Sequence, residues 1–215
     1  MTIHTIVCIK AVVARAPRGR IVRTTDNSCL NPFDRVALEA ALQLKAQHGG
    51  HVTVLSMGPP ACEVVMAEAL AMGADRAVLA CDPAFAGADT LATSTTLAAA
   101  IETLAPYDLV LFGTRTSDSD TGQVGPQTAV ALDIPIVTGV RQVTYRDTHL
   151  EVDRTMDHLV ESFDVDFPAA LTIRPEAFQP RDIGLGGLAQ AFDDRRVERM
   201  PLADLDMSKD HVGEK

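Results

Sequence analysis

The chain has 215 residues, a formal net charge of −10, 47% hydrophobic residues and 22% charged residues. That is enough apolar material for one full α/β core and too ordered a composition for a disordered chain. It is also too acidic for a protein that grips a phosphate backbone, which needs clustered Lys and Arg.

The first apolar run, Thr5 to Ile9, reads as a buried strand. Ala14 to Ser28 is rich in Arg and reads as a loop. Asn31-Pro32 opens a helix, because proline suits a first turn and Phe33, Val36, Ala37, Ala40, Ala41 and Leu44 recur at helical spacing. Gly49-Gly50 stops it. His51 to Ser56 is a second strand, and Cys62 to Met72 is a helix ended by Gly73. Arg76 to Ala80 is a third strand. Asp89 to Leu104 is an Ala-rich helix, and Asp108 to Phe112 is a fourth strand. A polar loop, Gly113 to Gly125, precedes another helix that begins at Pro126. Strands and helices alternate, and the strands are continuously apolar. The pattern predicts an α/β fold, a parallel sheet with helices on both faces, over 1 to about 140.

From Arg141 the period changes. Arg141 to Asp153 and Val160 to Phe167 alternate apolar with polar, which predicts a small antiparallel hairpin addition. Ala169 to Ile173 is apolar and could return to the main sheet. Beyond Arg174, proline, glycine and charge dominate, so the division expected is a nucleotide-binding α/β domain over 1–180 and a partner-recognition segment with an extended tail over 181–215.

Ligands of open parallel sheets sit at the carboxyl ends of the strands, where helix N-termini present unpaired N–H groups. The loop GTRTSDSDTGQVGP leaves such an end. Its glycines allow close backbone approach, and its hydroxyls and N–H groups can cradle a phosphate; a solvated loop is the equally weighted alternative. Thr90 and Thr93, one turn apart after the cap Asp89, are further candidates for phosphate or ribityl contacts, and a plain helix cap is the competing reading. Asn31 is a helix cap first and a nucleotide ligand second.

Other chemistries are absent from the sequence. It has no P-loop motif, no Gly-x-Ser-x-Gly elbow and no legible catalytic triad. Gly184-Leu185-Gly186 followed by Ala189 mimics a dinucleotide fingerprint but does not follow a strand. Cys8, Cys29, Cys62 and Cys81 have no Cys-x-x-Cys spacing, and the histidines are scattered, so no metal is expected. No catalytic side chains are assigned, and any redox chemistry belongs to a bound cofactor. No apolar run approaches the ~20 residues that span a bilayer, and a cytoplasmic protein is expected.

Several blocks carry a family resemblance: Asn31-Pro32-Phe33-Asp34 with Ala37 to Ala41, Val54 to Pro59, Glu68 to Arg76, Ala88 to Ser94, Asp108 to Gly113 and Asp118 to Pro126. In this order they resemble the beta subunit of electron-transfer flavoproteins. The resemblance implies an adenine-nucleotide hydrolase-like fold and a heterodimer with a larger alpha subunit, whose C-terminal domain carries the redox FAD. It implies that electrons pass between dehydrogenases and downstream acceptors through flavin, and that the chain is a carrier subunit rather than a stand-alone catalyst. A non-redox adenine-nucleotide-binding module of related fold is the alternative.

The nucleotide contacts it implies are Cys8, Asn31, Pro32, Phe33, Asp34, Met57, Gly113, Thr114, Asp118, Asp120, Thr121, Gly122, Gln123 and Val124. Leu185 matches the leucine that contacts a partner dehydrogenase, but the Lys-rich run that follows it in the family is missing. The arm that embraces the alpha subunit is expected to be short. The nucleotide in the beta site is FAD or AMP. The Asp-x-Asp-Thr-x-Gln-Val-Gly-Pro form resembles the FAD-binding relatives, in which NADH-linked electron bifurcation occurs.

Overall fold

The computed structural model describes residues 2–13, 24–157, 159–193, 197–208 and 212–213. Its centre is a nine-stranded sheet. In chain order its strands are β1 (Ile3–Cys8), β4 (Gly50–Met57), β5 (Arg76–Ala80), β6 (Leu109–Gly113), β7 (Ile136–Arg146), β8 (His149–Met156), β9 (Leu159–Asp166), β10 (Ala169–Ile173) and β11 (Val197–Met200). Across the sheet the order is β11-β5-β4-β1-β6-β10-β7-β8-β9. From β11 through β10 to the start of β7 the pairing is parallel, and β7-β8-β9 is an antiparallel meander. A separate two-stranded antiparallel ladder joins β2 (Ala11–Val13) to β3 (Ser28–Leu30). The α/β reading and the hairpin addition are both observed.

The helices divide between the two faces because each parallel strand is apolar on both sides. Helices α1 (Pro32–His48) and α2 (Glu63–Met72) cover one face, with Leu38, Met66 and Val7 in one buried cluster. Helices α3 (Thr90–Thr103) and α4 (Val124–Ala131) cover the other, where Ile101, Ala129 and Ile6 share a second cluster. The layers are thin because alanines line both contacts; Ala37, Ala41, Ala69 and Ala100 are each fully enclosed. Helix α1 starts on Pro32, whose missing N–H costs nothing in a first turn, and ends where Gly49 takes φ +77°. Asp89 caps α3 by accepting a bond from the Ala92 N–H at 2.8 Å.

Two differences from the sequence reading matter. Helix α4 begins at Val124, two residues before Pro126. Proline is tolerated there because the first-turn N–H groups have no intrahelical acceptor. The segment after Arg174 also does more than cross the surface. It forms α5 (Leu185–Asp193), which packs on α2, and then β11, which extends the main sheet in parallel with β5. Val197 to Met200 is only four residues, one of them apolar and buried, so periodicity could not reveal it. Arg181 anchors the start of this segment. Its Nε lies 2.8 Å from Glu39, a carboxylate only 3% exposed on α1. Most of the expected loop 14–28 lies outside the described residues, and its flanks form the β2–β3 ladder.

Candidate nucleotide-binding site

Strand β1 pairs with β4 on one side and β6 on the other. The chain runs from β1 outward through β4 and β5, then returns across β1 to β6. The loops that leave the carboxyl ends of β1 and β6 therefore part to opposite faces and open a cleft, the usual ligand position in such sheets. The structure places Cys8 at the end of β1, Asn31 to Asp34 at the start of α1, Met57 at the end of β4, Thr90 and Thr93 on α3, and Gly113 to Val124 from the end of β6 to the start of α4.

The start of α1 ties its two lips together. Asn31, fully buried, donates from Nδ2 to the Arg115 carbonyl at 2.9 Å and accepts from the Ser117 N–H at 3.3 Å. Asn31 thus makes no side-chain cap on its own helix, contrary to the simpler reading of this residue. Asp34 is buried one turn on and accepts from the Lys10 N–H at 2.8 Å. Burial pushes its carboxyl up to about 7, against hydrogen bonds from Asn31, Lys10 and Gly113 that favour the ionised form. Gly113 has to be glycine. A Cβ there would stand 2.5 Å from Asp34 Oδ1 and 2.7 Å from the Phe33 carbonyl carbon. Pro32 is exposed and Phe33 half-buried, with the Arg115 guanidinium 4.9 Å above the Phe33 ring.

The loop after β6 bends back on itself. Asp120 and Gly122 take left-handed φ values of 52° and 63°, and a Cβ on Gly122 would lie 3.1 Å from the Thr114 carbonyl oxygen. Its carboxylates are already matched by cations. Lys10 Nζ lies 2.7 Å from Asp118 and 3.1 Å from Ser119, and Arg115 lies 3.4 Å from Asp120. Burial would raise the Asp118 pKa, but the Lys10 ammonium outweighs it and holds the group below its usual range. Sequence reasoning missed Lys10. It belongs to no motif, and its partner is 108 positions away.

Thr121 and Gln123 are exposed at the mouth and Val124 is half-buried. Gln123 meets α3, where Thr90 Oγ1 donates to its Oε1 at 3.2 Å. The N-terminus of α3, with half-buried Thr93, therefore stands beside that of α4. In the first turn of α4, Gln127 Oε1 is buried without a hydrogen-bond partner among the described residues. Two helix N-termini with hydroxyl and amide groups between them suit a polyanion, each contributing roughly half a positive charge. The residues present thus fit an adenine nucleotide. Cys8 closes the floor at the end of β1. Its thiol is buried, and burial together with Asp34 pushes its pKa well above the ordinary range, which keeps it protonated and unreactive. Met57, at the end of β4, is half-buried against the α3–α4 cluster. Leu185 lies elsewhere, 86% exposed at the start of α5.

A family described as electron transfer flavoprotein domain matches residues 19–204. The chain belongs to the electron-transfer flavoprotein beta subunit family. It is 44% identical to an electron transfer flavoprotein subunit beta of Thermoanaerobacterium thermosaccharolyticum, covering 90% of this chain and 74% of that one. It is 42% identical to the same-named subunit of Clostridium acetobutylicum, covering 97% and 82%. A subunit of the caffeyl-CoA reductase-Etf complex of Acetobacterium woodii is 44% identical, covering 81% and 67%. Membership makes the chain's role electron transfer, and a non-redox nucleotide-binding module of related fold is not favoured. No described helix is long and apolar enough to cross a membrane.

Proposed function

We propose that this chain is the beta subunit of a heterodimer, that its switch-point cleft binds an adenine nucleotide, and that the nucleotide is FAD rather than AMP. The observation that carries the reading is the 3.2 Å bond between Thr90 and Gln123. It brings the N-terminus of α3 to the loop after β6, so phosphate donors come from two elements at once. A monophosphate uses one such group of donors, whereas the two anionic groups of a pyrophosphate can draw on both.

A flavin bound here would supply the electron-transfer chemistry, and the chain's own residues would bind and orient it. Thr121, the Gln123 amide N–H and the α4 N–H groups hold one phosphate, while Thr93 and the α3 N-terminus hold the other, with Thr90 turning its hydroxyl from Gln123 to that phosphate. The buried Asn31–Asp34 pair fixes the distance between the lips. Lys10 neutralises the loop carboxylate nearest the cleft, which lowers the repulsion an anionic ligand meets. NADH is the donor that fits a second flavin, and a flavin-dependent dehydrogenase or reductase is the redox partner. Leu185 and the exposed start of α5 supply a contact for that partner within a partner-recognition segment over 181–215. The four free cysteines suit the reducing conditions of the cytoplasm.

Co-expression with an alpha-type subunit tests the assembly. Sedimentation and the visible spectrum should show a one-to-one complex carrying flavin. A stable monomer with stoichiometric FAD and no partner would overturn the heterodimer.

A further inference from the structure

A second concave site lies away from the nucleotide cleft. It is a groove of about 520 Å³ bounded by Arg141, Gln142 and Val143 of β7, Thr155 of β8, and Arg174, Glu176, Ala177 and Phe178. Its origin is topological. Strand β10 ends at Ile173 and pairs with β7 only as far as Val140, whereas β7 runs on to Arg146. Beyond Val140 no described strand lies beside β7 on the β10 side, and the chain turning away at Arg174 leaves a trough.

The trough has a charge pattern unusual for this protein. The chain carries a net charge of −10, and Lys10, Arg35, Lys45, Arg76, Arg154 and Arg199 each touch a carboxylate. Arg141 does not. Its one side-chain hydrogen bond among the described residues is a long 3.4 Å contact to Thr155 Oγ1. Arg174 reaches the Thr155 carbonyl at 3.4 Å and Glu176 at 3.2 Å. Among the described residues Glu176 is the only carboxylate lining the groove, so the two guanidinium groups leave one positive charge unmatched. Val143, Ala177 and Phe178 give it an apolar side.

We infer that this groove docks an acidic, extended segment of the partner subunit, its carboxylates on Arg141 and Arg174 and its apolar side chains against Phe178. The inference rests on the heterodimer proposed above. Paired guanidinium forks suit carboxylates, and an unmatched cation at a groove steers an acidic partner.

The test uses the full chain co-expressed with its alpha-type subunit. R141E should weaken subunit association about tenfold or more at low salt, and the loss should shrink at high salt as screening removes the repulsion. R141Q should shift affinity less, in the same direction. Because Arg141 is exposed, both variants should keep the parent's circular dichroism. A photo-crosslinker placed at Gln142 should land on an acid-rich stretch of the partner. Unchanged affinity of R141E within an otherwise normal heterodimer overturns the groove alone. So does loss of inorganic phosphate binding by R141E with subunit affinity intact, which would assign the groove to a small anion. A wild-type chain that never pairs overturns the heterodimer and the groove's occupant together.

Discussion

The buried carboxylate of Asp34 accepts a hydrogen bond from the main-chain N–H of Lys10 at 2.8 Å. This joins the end of β1 to the first turn of α1. A carboxylate raised to about 7 mainly by burial holds a proton in the folded state that it loses in the unfolded chain, where the ordinary value is 3.8. Its contribution to stability is therefore full below about pH 4 and is lost as pH rises through about 7. D34N should remove that dependence, leaving a flatter stability profile between those values. Urea titrations across the range check this, and a tenfold difference in proton affinity between the folded and unfolded chain corresponds to about 1.4 kcal/mol. A parent profile with the same slope as that of D34N between pH 4 and 7 would contradict it.

Gly113 offers a sharper steric test. In G113A the new methyl would meet main-chain atoms of Phe33 and Asp34, which cannot move aside as a flexible side chain would. A cost of about 1–3 kcal/mol is expected, together with loss of bound nucleotide. Chemical denaturation and nucleotide release from the same preparation measure both.

Arg181 should matter more than most surface arginines. It supplies three hydrogen bonds to Glu39, which is buried on α1. R181A leaves that carboxylate with Gln43 as its side-chain partner, at a cost of roughly 2–4 kcal/mol. E39Q/R181A should recover part of it, because the uncompensated charge is gone. A double-mutant cycle reads the coupling.

The parallel core was legible because each of its strands is a short apolar run bounded by turn residues, as at Arg76 to Ala80. The site loop was legible for a different reason: its glycines and hydroxyls follow a strand directly. What escaped depends on contacts remote in sequence. Lys10 meets Asp118 only because β1 and β6 are neighbours in the sheet. Asn31 looked like a helix cap and instead binds the loop from Arg115 to Ser117. Strand β11 escaped because pairing with β5, not its own pattern, makes it a strand.

At the cleft, Q123L should lower nucleotide occupancy while leaving the far-ultraviolet spectrum unchanged. Gln123 is exposed, makes no cap for α4 and, among the described residues, hydrogen-bonds by side chain to Thr90. If flavin is bound, T93V should weaken one flavin of the complex selectively. Unchanged nucleotide content in Q123L would move the site away from this loop.

The most direct measurement is a count of nucleotides released by denaturing the purified heterodimer. Chromatography of the supernatant separates FAD from AMP, and absorbance quantifies each against protein. Two FAD per heterodimer is the result expected if pyrophosphate donors converge from α3 and the loop after β6. One FAD and one AMP would contradict it and would leave Thr90 and Thr93 as polar residues of a capped helix.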